Sequence, residues 1–185
     1  MAASKKNTEK KSPADFFVAR PWLVLLLIFL LAVAVRSVPL RFDGMFDPDS
    51  HFHARLSNEI ARTHELITWD SLSLQGRVYS YPPLLHILVG LIATITNQDA
   101  MIVLKFVGVI VGGLLVGSVY LLARLFSRSE SVALWSALFA GLSSIAIYRT
   151  AAHTRPDGIA LMLIPLLLYL WLTRRNKLAF MLSLG

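Results

Sequence analysis

Ala100-Met-Ile-Val-Leu-Lys-Phe-Val-Gly-Val-Ile-Val-Gly-Gly-Leu-Leu-Val-Gly-Ser-Val-Tyr-Leu-Leu-Ala123 decides the fold. Its 24 residues, at about 1.5 Å of helical rise each, extend about 36 Å, beyond the roughly 30 Å hydrocarbon core of a bilayer. The one charge, Lys105, sits a turn inside one end, where its alkyl stem lets the ammonium reach the headgroups. The stretch predicts a membrane-crossing helix.

Working outward, Pro21–Leu40 is equally apolar until Arg36 and Ser37, and Arg36 is placed to snorkel to the far headgroups. Ala32-Val33-Ala34 imitates a signal-peptide cleavage site, but the charged leader is long for that role and more apolar blocks follow, which favours an uncleaved anchor. Ser131–Tyr148 and Gly158–Thr173 are further spans, and a last run begins at Leu178. Pro82–Thr96 is apolar too, but 15 helical residues reach only about 22 Å. The whole chain is 56% hydrophobic and 16% charged, whereas a soluble domain is about a quarter charged. The absence of cysteine excludes disulfides, thiolate metal sites and a thiol nucleophile. The prediction is an all-α, polytopic integral membrane protein.

The net charge of +7 does not point to nucleic acid, because the basic residues flank the apolar blocks. Lys5, Lys6, Lys10, Lys11 and Arg20 precede the first; Arg124, Arg128, Arg174, Arg175 and Lys177 follow later ones. If 82–96 crossed the bilayer, the later clusters would fall outside, against the positive-inside bias. If it lies in the outer interface, all clusters are cytoplasmic. Length and charge then agree on a basic cytoplasmic tail, 1–20, and a transmembrane domain, 21–185. The domain has spans near 21–40, 100–123, 131–148 and 158–173 and the start of a fifth at 178. The extracytoplasmic loop 41–99 carries seven of the eleven acids, with an interfacial helix at 82–96. The short loop Arg149–Asp157 lies on the same side.

Those two loops hold the residues suited to chemistry. In Phe46-Asp-Pro-Asp-Ser-His-Phe-His-Ala-Arg55, Asp47 before Pro48 reads as an N-cap with proline at the first helical position. Phe52, Leu56 and Ile60 then form an apolar stripe. Asp49 either complements the helix dipole or ligates a hard cation such as Mg2+ or Mn2+. His51 and His53 are two residues apart, so on a helix they diverge and do not chelate one ion as a pair. In Tyr148-Arg-Thr-Ala-Ala-His-Thr-Arg-Pro-Asp157, Arg149 and Arg155 are either headgroup anchors or ligands for a lipid phosphate, and Asp157 is either a helix cap or a carboxylate for a divalent ion. Trp69-Asp70 and Tyr79-Ser-Tyr-Pro-Pro83 lie between, with aromatics suited to a headgroup belt and prolines that force a rigid turn.

The succession Asp49-Ser-His-Phe-His-Ala-Arg55, Trp69-Asp70, Tyr81-Pro82, Tyr148-Arg149-Thr150, Asp157 and Pro165 resembles the N-terminal part of the oligosaccharyltransferase catalytic subunit of the single-subunit archaeal and bacterial type. Each motif is short; their order over residues 21–175 carries the resemblance. It implies the transmembrane module of a C-type glycosyltransferase, which moves an oligosaccharide from a polyprenyl phosphate or pyrophosphate to asparagine of an acceptor polypeptide. It further implies Asp49 and Asp157, with Asp47 beside them, as catalytic or metal-ligating residues for Mn2+ or Mg2+, and Arg55, Arg149, Arg155 and His53 as the face for the lipid phosphate. The family's second motif usually has two acids separated by one residue, whereas here Asp157 stands alone. Its C-terminal external domain has no counterpart, so the chain reads as an N-terminal piece not expected to turn over substrate by itself. A mannosyl- or aminoarabinosyl-transferase using a polyprenyl-phosphate sugar is the enzymatic alternative. A membrane scaffold whose acids are merely caps is the non-catalytic one.

Overall fold

A computed structural model describes residues 20–173 apart from 46, 71–74, 81 and 153. The expected tail, Arg20 excepted, and the span beginning at 178 lie outside the described residues.

The described chain is mostly helical. Helix α1 (Pro21–Arg36) starts at proline and runs into a 3-10 turn over Val38–Arg41. Helix α2 (Pro48–Thr63) follows Asp47, which holds the extended N-cap conformation although its side chain makes no capping bond. Its end at His64, with φ 59°, sends the chain into an antiparallel pair, β1 (Trp69–Asp70) with β2 (Arg77–Val78), a small hairpin in an otherwise helical fold. Helix α3 (Leu84–Thr96) ends at Asn97 in the left-handed region. Helix α4 (Ala100–Ser127) begins where the Asp99 carboxylate accepts the Met101 N–H at 2.7 Å, the capping bond that a helix start requires.

Helix α5 (Glu130–Leu142) starts at Ser129 and stops at Ser143, whose ψ of 126° leaves the helical region. The chain resumes as α6 (Ser144–Ile147) and a π turn over Tyr148–Ala152. The stretch expected as one span, 131–148, is therefore a helix pair bent by 53°. Helix α7 (Pro156–Leu172) has Pro165 inside it.

Among the described residues two helical segments, Pro21–Arg41 and Ala100–Ser127, are long and apolar enough to cross a membrane, and a third is added if the bent pair counts as one. Helix α3, at 13 residues, reaches only about 20 Å. Helix α4 is the axis of the molecule and packs against α1, α2, α3, α5 and α7. One core, built on Ala54, Leu85, Val89, Leu104 and Val107, joins α2 and α3 to its first half. A second, Ile28, Ala32, Val116 and Ala137, joins α1 and α5 to its second half. The face of α4 away from these cores exposes Ile102, Phe106, Ile110 and Leu114, four large apolar side chains at a helical spacing of four. Close approach of α2 and α3 depends on Gly90, where a Cβ would lie 2.9 Å from Ile60 Cγ2.

Candidate functional site

The first residues of α2 and α7 meet on one side of the bundle. Asp49, in the first turn of α2, is paired through Oδ2 with Arg155 Nη1, immediately before α7. Arg149, on the π turn, reaches Asp157 Oδ2 at 2.7 Å, and Arg155 Nε lies 4.0 Å from Asp157 Oδ1. Asp49, Arg155, Asp157 and Arg149 thus alternate in sign in one continuous cluster. Both carboxylates stand at helix N-termini, where the peptide dipoles favour negative charge. Asp157 is not the cap of α7: the helix starts at Pro156, and Asp157 is its second residue. The loop 41–99 and the loop 149–155 therefore share one end of the molecule. At the other end Arg124 and Glu130 pair at 2.6 Å.

The second half of this cluster is held from inside the bundle. Thr150 Oγ1 donates to Ala146 O at 2.7 Å, and Thr154 Oγ1 to Thr150 O at 3.0 Å, which fixes the turn that carries Arg149 and Arg155. Arg36, expected to snorkel, is instead fully buried. Its Nε donates to Thr150 Oγ1 at 2.8 Å and its Nη1 to Gly141 O at 2.6 Å and Ala32 O at 3.2 Å. In an unbroken helix Gly141 O would accept from residue 145; the bend at Ser143 releases it, and Arg36 takes it up. Glycines give the turn its room: a Cβ on Gly112 would lie 2.1 Å from Arg36 Cδ, and one on Gly108 2.0 Å from Thr150 O.

The remaining expected site residues point elsewhere. Arg55 pairs with the buried Asp70 of β1 at 2.8 Å and lies over the Phe52 ring, 5.3 Å from its centroid. It lines a groove of about 480 Å3 with Glu59, Arg62 and Trp69, apart from the Asp49–Asp157 cluster. Asp47 is buried just before α2. His51 is exposed and contacts Met45 O at 3.3 Å, whereas His53 is buried against His86 of α3 with Nδ1 and Nε2 2.8 Å apart. The two histidines do diverge, as their spacing requires. His86 Nδ1 in turn meets Tyr79 Oη at 2.7 Å. Burial pushes His86 down to about 4, with His53 alongside contributing, and burial also lowers His53 against the opposing pull of Asp49.

An almost wholly apolar groove of about 330 Å3 opens beside the cluster, between α3 and α7. Pro82, Leu85, Pro156, Ile159 and Leu163 line it, and Asp157 stands on its wall. Through Asp157 the ion-pair cluster thus borders a surface suited to a hydrocarbon chain.

The described residues do not make a divalent-ion site as they stand. Among the described residues no three histidine or acidic side chains gather, and the two carboxylates that approach each other hold a guanidinium between them. A divalent ion here requires Arg155 to swing out or further donors to arrive.

From sequence His86 goes unremarked, whereas Arg36 reads as a snorkelling charge, Tyr79 as part of a headgroup belt and Thr150 only as part of the Tyr148-Arg149-Thr150 motif. The available signal was the charge in an apolar block: an ionisable residue inside such a block is a functional candidate by default, and that holds for Arg36 and for His86 in Leu84-Leu-His-Ile-Leu. No curated protein matches the sequence. Residues 2–178 match a family described as being of unknown function, DUF6541, and the chain belongs to that family.

Proposed function

We propose that the protein is a membrane glycosyltransferase, or its membrane-embedded part, that takes a sugar from a polyprenyl-phosphate or pyrophosphate carrier and passes it to an acceptor polypeptide. The observation that carries this reading is the placement of the Asp49–Arg155–Asp157–Arg149 cluster at the edge of the apolar groove between α3 and α7. A phosphorylated lipid has the matching shape, an anionic head on a long apolar tail. The exposed apolar faces of α1, α4 and the bent α5–α6 pair support three membrane segments; α7, whose 17 residues reach about 26 Å, is the fourth in this reading, with α3 lying in the interface.

The ion pairs are partly exposed, and such pairs contribute only about 0–1 kcal/mol each. Replacing a carboxylate on Arg149 or Arg155 by a phosphate oxygen therefore costs little and gives charge-assisted hydrogen bonds. Arg155 Nε, buried and without a hydrogen-bond partner among the described residues, adds a donor. As the sugar C1–O bond breaks, its electron pair stays on the phosphate, and the two guanidiniums stabilise that charge. Asp49 and Asp157, released from the arginines, accept hydrogen bonds from the acceptor group and orient it for attack on C1. Mn2+ or Mg2+ is implied by the family resemblance alone, and Asp49 and Asp157 would be open to such an ion only with Arg155 moved aside.

The test is transfer of a labelled sugar from a polyprenyl-phosphate donor to an impermeant Asn-X-Ser/Thr peptide, in sealed membrane vesicles of both orientations containing the natural full-length protein. The expected result is peptide labelling in right-side-out vesicles only, lost in Asp49→Asn. Labelling only in inverted vesicles overturns the extracytoplasmic placement of the loops. Labelling of hydroxyl side chains or lipid instead favours the mannosyl- or aminoarabinosyl-transferase alternative, which the lone acid Asp157 already allows. No sugar transfer to any acceptor leaves the scaffold reading.

A further inference from the structure

The groups beneath the cluster form a chain of their own. Tyr79 Oη, at the exit from the hairpin, meets His86 Nδ1 at 2.7 Å, and His86 Nε2 meets His53 Nδ1 at 2.8 Å. His86 and His53 are both buried, while Tyr79 is half-buried and lines, with His86, a separate pocket of about 350 Å3 under the hairpin. His53 lies one helical turn beyond Asp49 on the same face of α2, which brings this end of the chain within electrostatic reach of the ion cluster. The charged groups around His53 are Asp47 and Asp49 of α2's start, Arg155 and Asp157 of α7's start, and His86 of α3.

We infer that Tyr79, His86 and His53 form a proton relay joining the Asp49–Asp157 cluster to the pocket under the hairpin. Two imidazoles and a phenol in series are suited to this, because each ring accepts a proton on one nitrogen while releasing one from the other. With His53 Nδ1–H donating to His86 Nε2 and His86 Nδ1–H donating to Tyr79 Oη, a proton arriving at His53 Nε2 shifts each of these protons one bond outward, and the phenolic proton leaves to the pocket. Each ring is neutral before and after. The task of the relay rests on the proposed function: sugar transfer removes one proton from the acceptor's N–H or O–H as C1–N or C1–O forms, while the phosphate leaves with the electrons of the broken bond. The relay carries that proton away from the two carboxylates, which stay ionised for the next turnover.

The relay is tested without any substrate by 15N NMR of the full chain labelled at histidine, in lipid nanodiscs. Tyr79→Phe keeps the ring and removes only the hydroxyl. The expected result is that it exchanges pyrrole-type for pyridine-type nitrogen signals in both His86 and His53 and leaves His51 and His64 unchanged. A change confined to His86, or no change, overturns the relay. Should Tyr79→Phe disturb folding, His53→Asn read at His86 tests the same coupling from the other end, and an unaltered His86 overturns it. In the transfer assay, Tyr79→Phe is expected to slow turnover by on the order of a hundredfold, with donor binding unchanged. Coupled NMR signals with an undiminished rate overturn the relay's catalytic task. Absence of transfer in the wild type defeats the proposed function but not the coupling, which NMR reads alone.

Discussion

A buried ionisable side chain must either find partners or give up its charge, and the chain uses both outcomes. Arg36 stays among acceptors, two backbone carbonyls and the Thr150 hydroxyl, and so fixes the turn that carries Arg149. His86 takes the other course. Its folded pKa of about 4 lies below the ordinary 6.5, so between those values the unfolded chain binds more protons than the folded one. The neutral His86 therefore stabilises the fold fully above about pH 6.5, and this contribution is lost as pH falls towards about 4. By linkage it amounts to at most about 3 kcal/mol. Thermal unfolding in detergent at about pH 7 and about pH 4.5 checks this. The midpoint should fall on acidification, and His86→Asn should show a smaller fall; equal falls in both proteins would contradict the assignment. At this scale the sequence was partly legible. Asp49, Asp157, Arg149 and Arg155 stood out because they fall in the two loops that charge counting places on one side. His86 did not, because a histidine in an apolar run shows its meaning only once Tyr79 and His53, seven and 33 residues away, are brought to it.

At the scale of elements, contact geometry decides which substitutions matter. Gly112 and Gly117 lie five residues apart on α4, yet a Cβ on Gly112 would collide with Arg36 and one on Gly117 would meet nothing within 4 Å. Gly112→Ala should therefore displace Arg36 and cost about 1–3 kcal/mol through overpacking. Gly117→Ala should be neutral or stabilising by up to about 1 kcal/mol, from helix propensity alone. Chemical denaturation of both variants in the same detergent decides this, and equal losses would contradict the packing described for α4. Long apolar runs such as Ala100–Ala123 announce themselves through length. The break at Ser143 did not, since Gly141-Leu-Ser-Ser144 is tolerated inside many helices, and only the bond from Arg36 to Gly141 O shows what the bend is for. The hairpin at Trp69 and Val78 has two residues per strand, too few for any alternating pattern to register.

Across the whole molecule, the prolines and acids that begin α2 and α7 set the distant loops 41–99 and 149–155 at one end, with Asp49 and Arg155 in contact across 106 positions of sequence. Charge counting predicted that the two loops share a side, because it placed the flanking arginines together at the other. Which side chains pair could not be read in that way: Arg55, in motif order with Asp49, is taken by Asp70, while Arg155 goes to Asp49. Pairing follows from where α2 and α7 are packed on α4, and that is a property of the assembled bundle. In the proposed function this cluster and the apolar groove beside it hold a phosphorylated lipid together. The most direct test is the affinity of the full chain in nanodiscs for a polyprenyl phosphate and for the matching polyprenol, compared between wild type, Arg149→Ala/Arg155→Ala and the distant Arg62→Ala. The double variant should lose on the order of a hundredfold for the phosphate, as two charge-assisted bonds are removed, with polyprenol binding and Arg62→Ala unchanged. Equal affinity of wild type and double variant for the polyprenyl phosphate would contradict the proposed function.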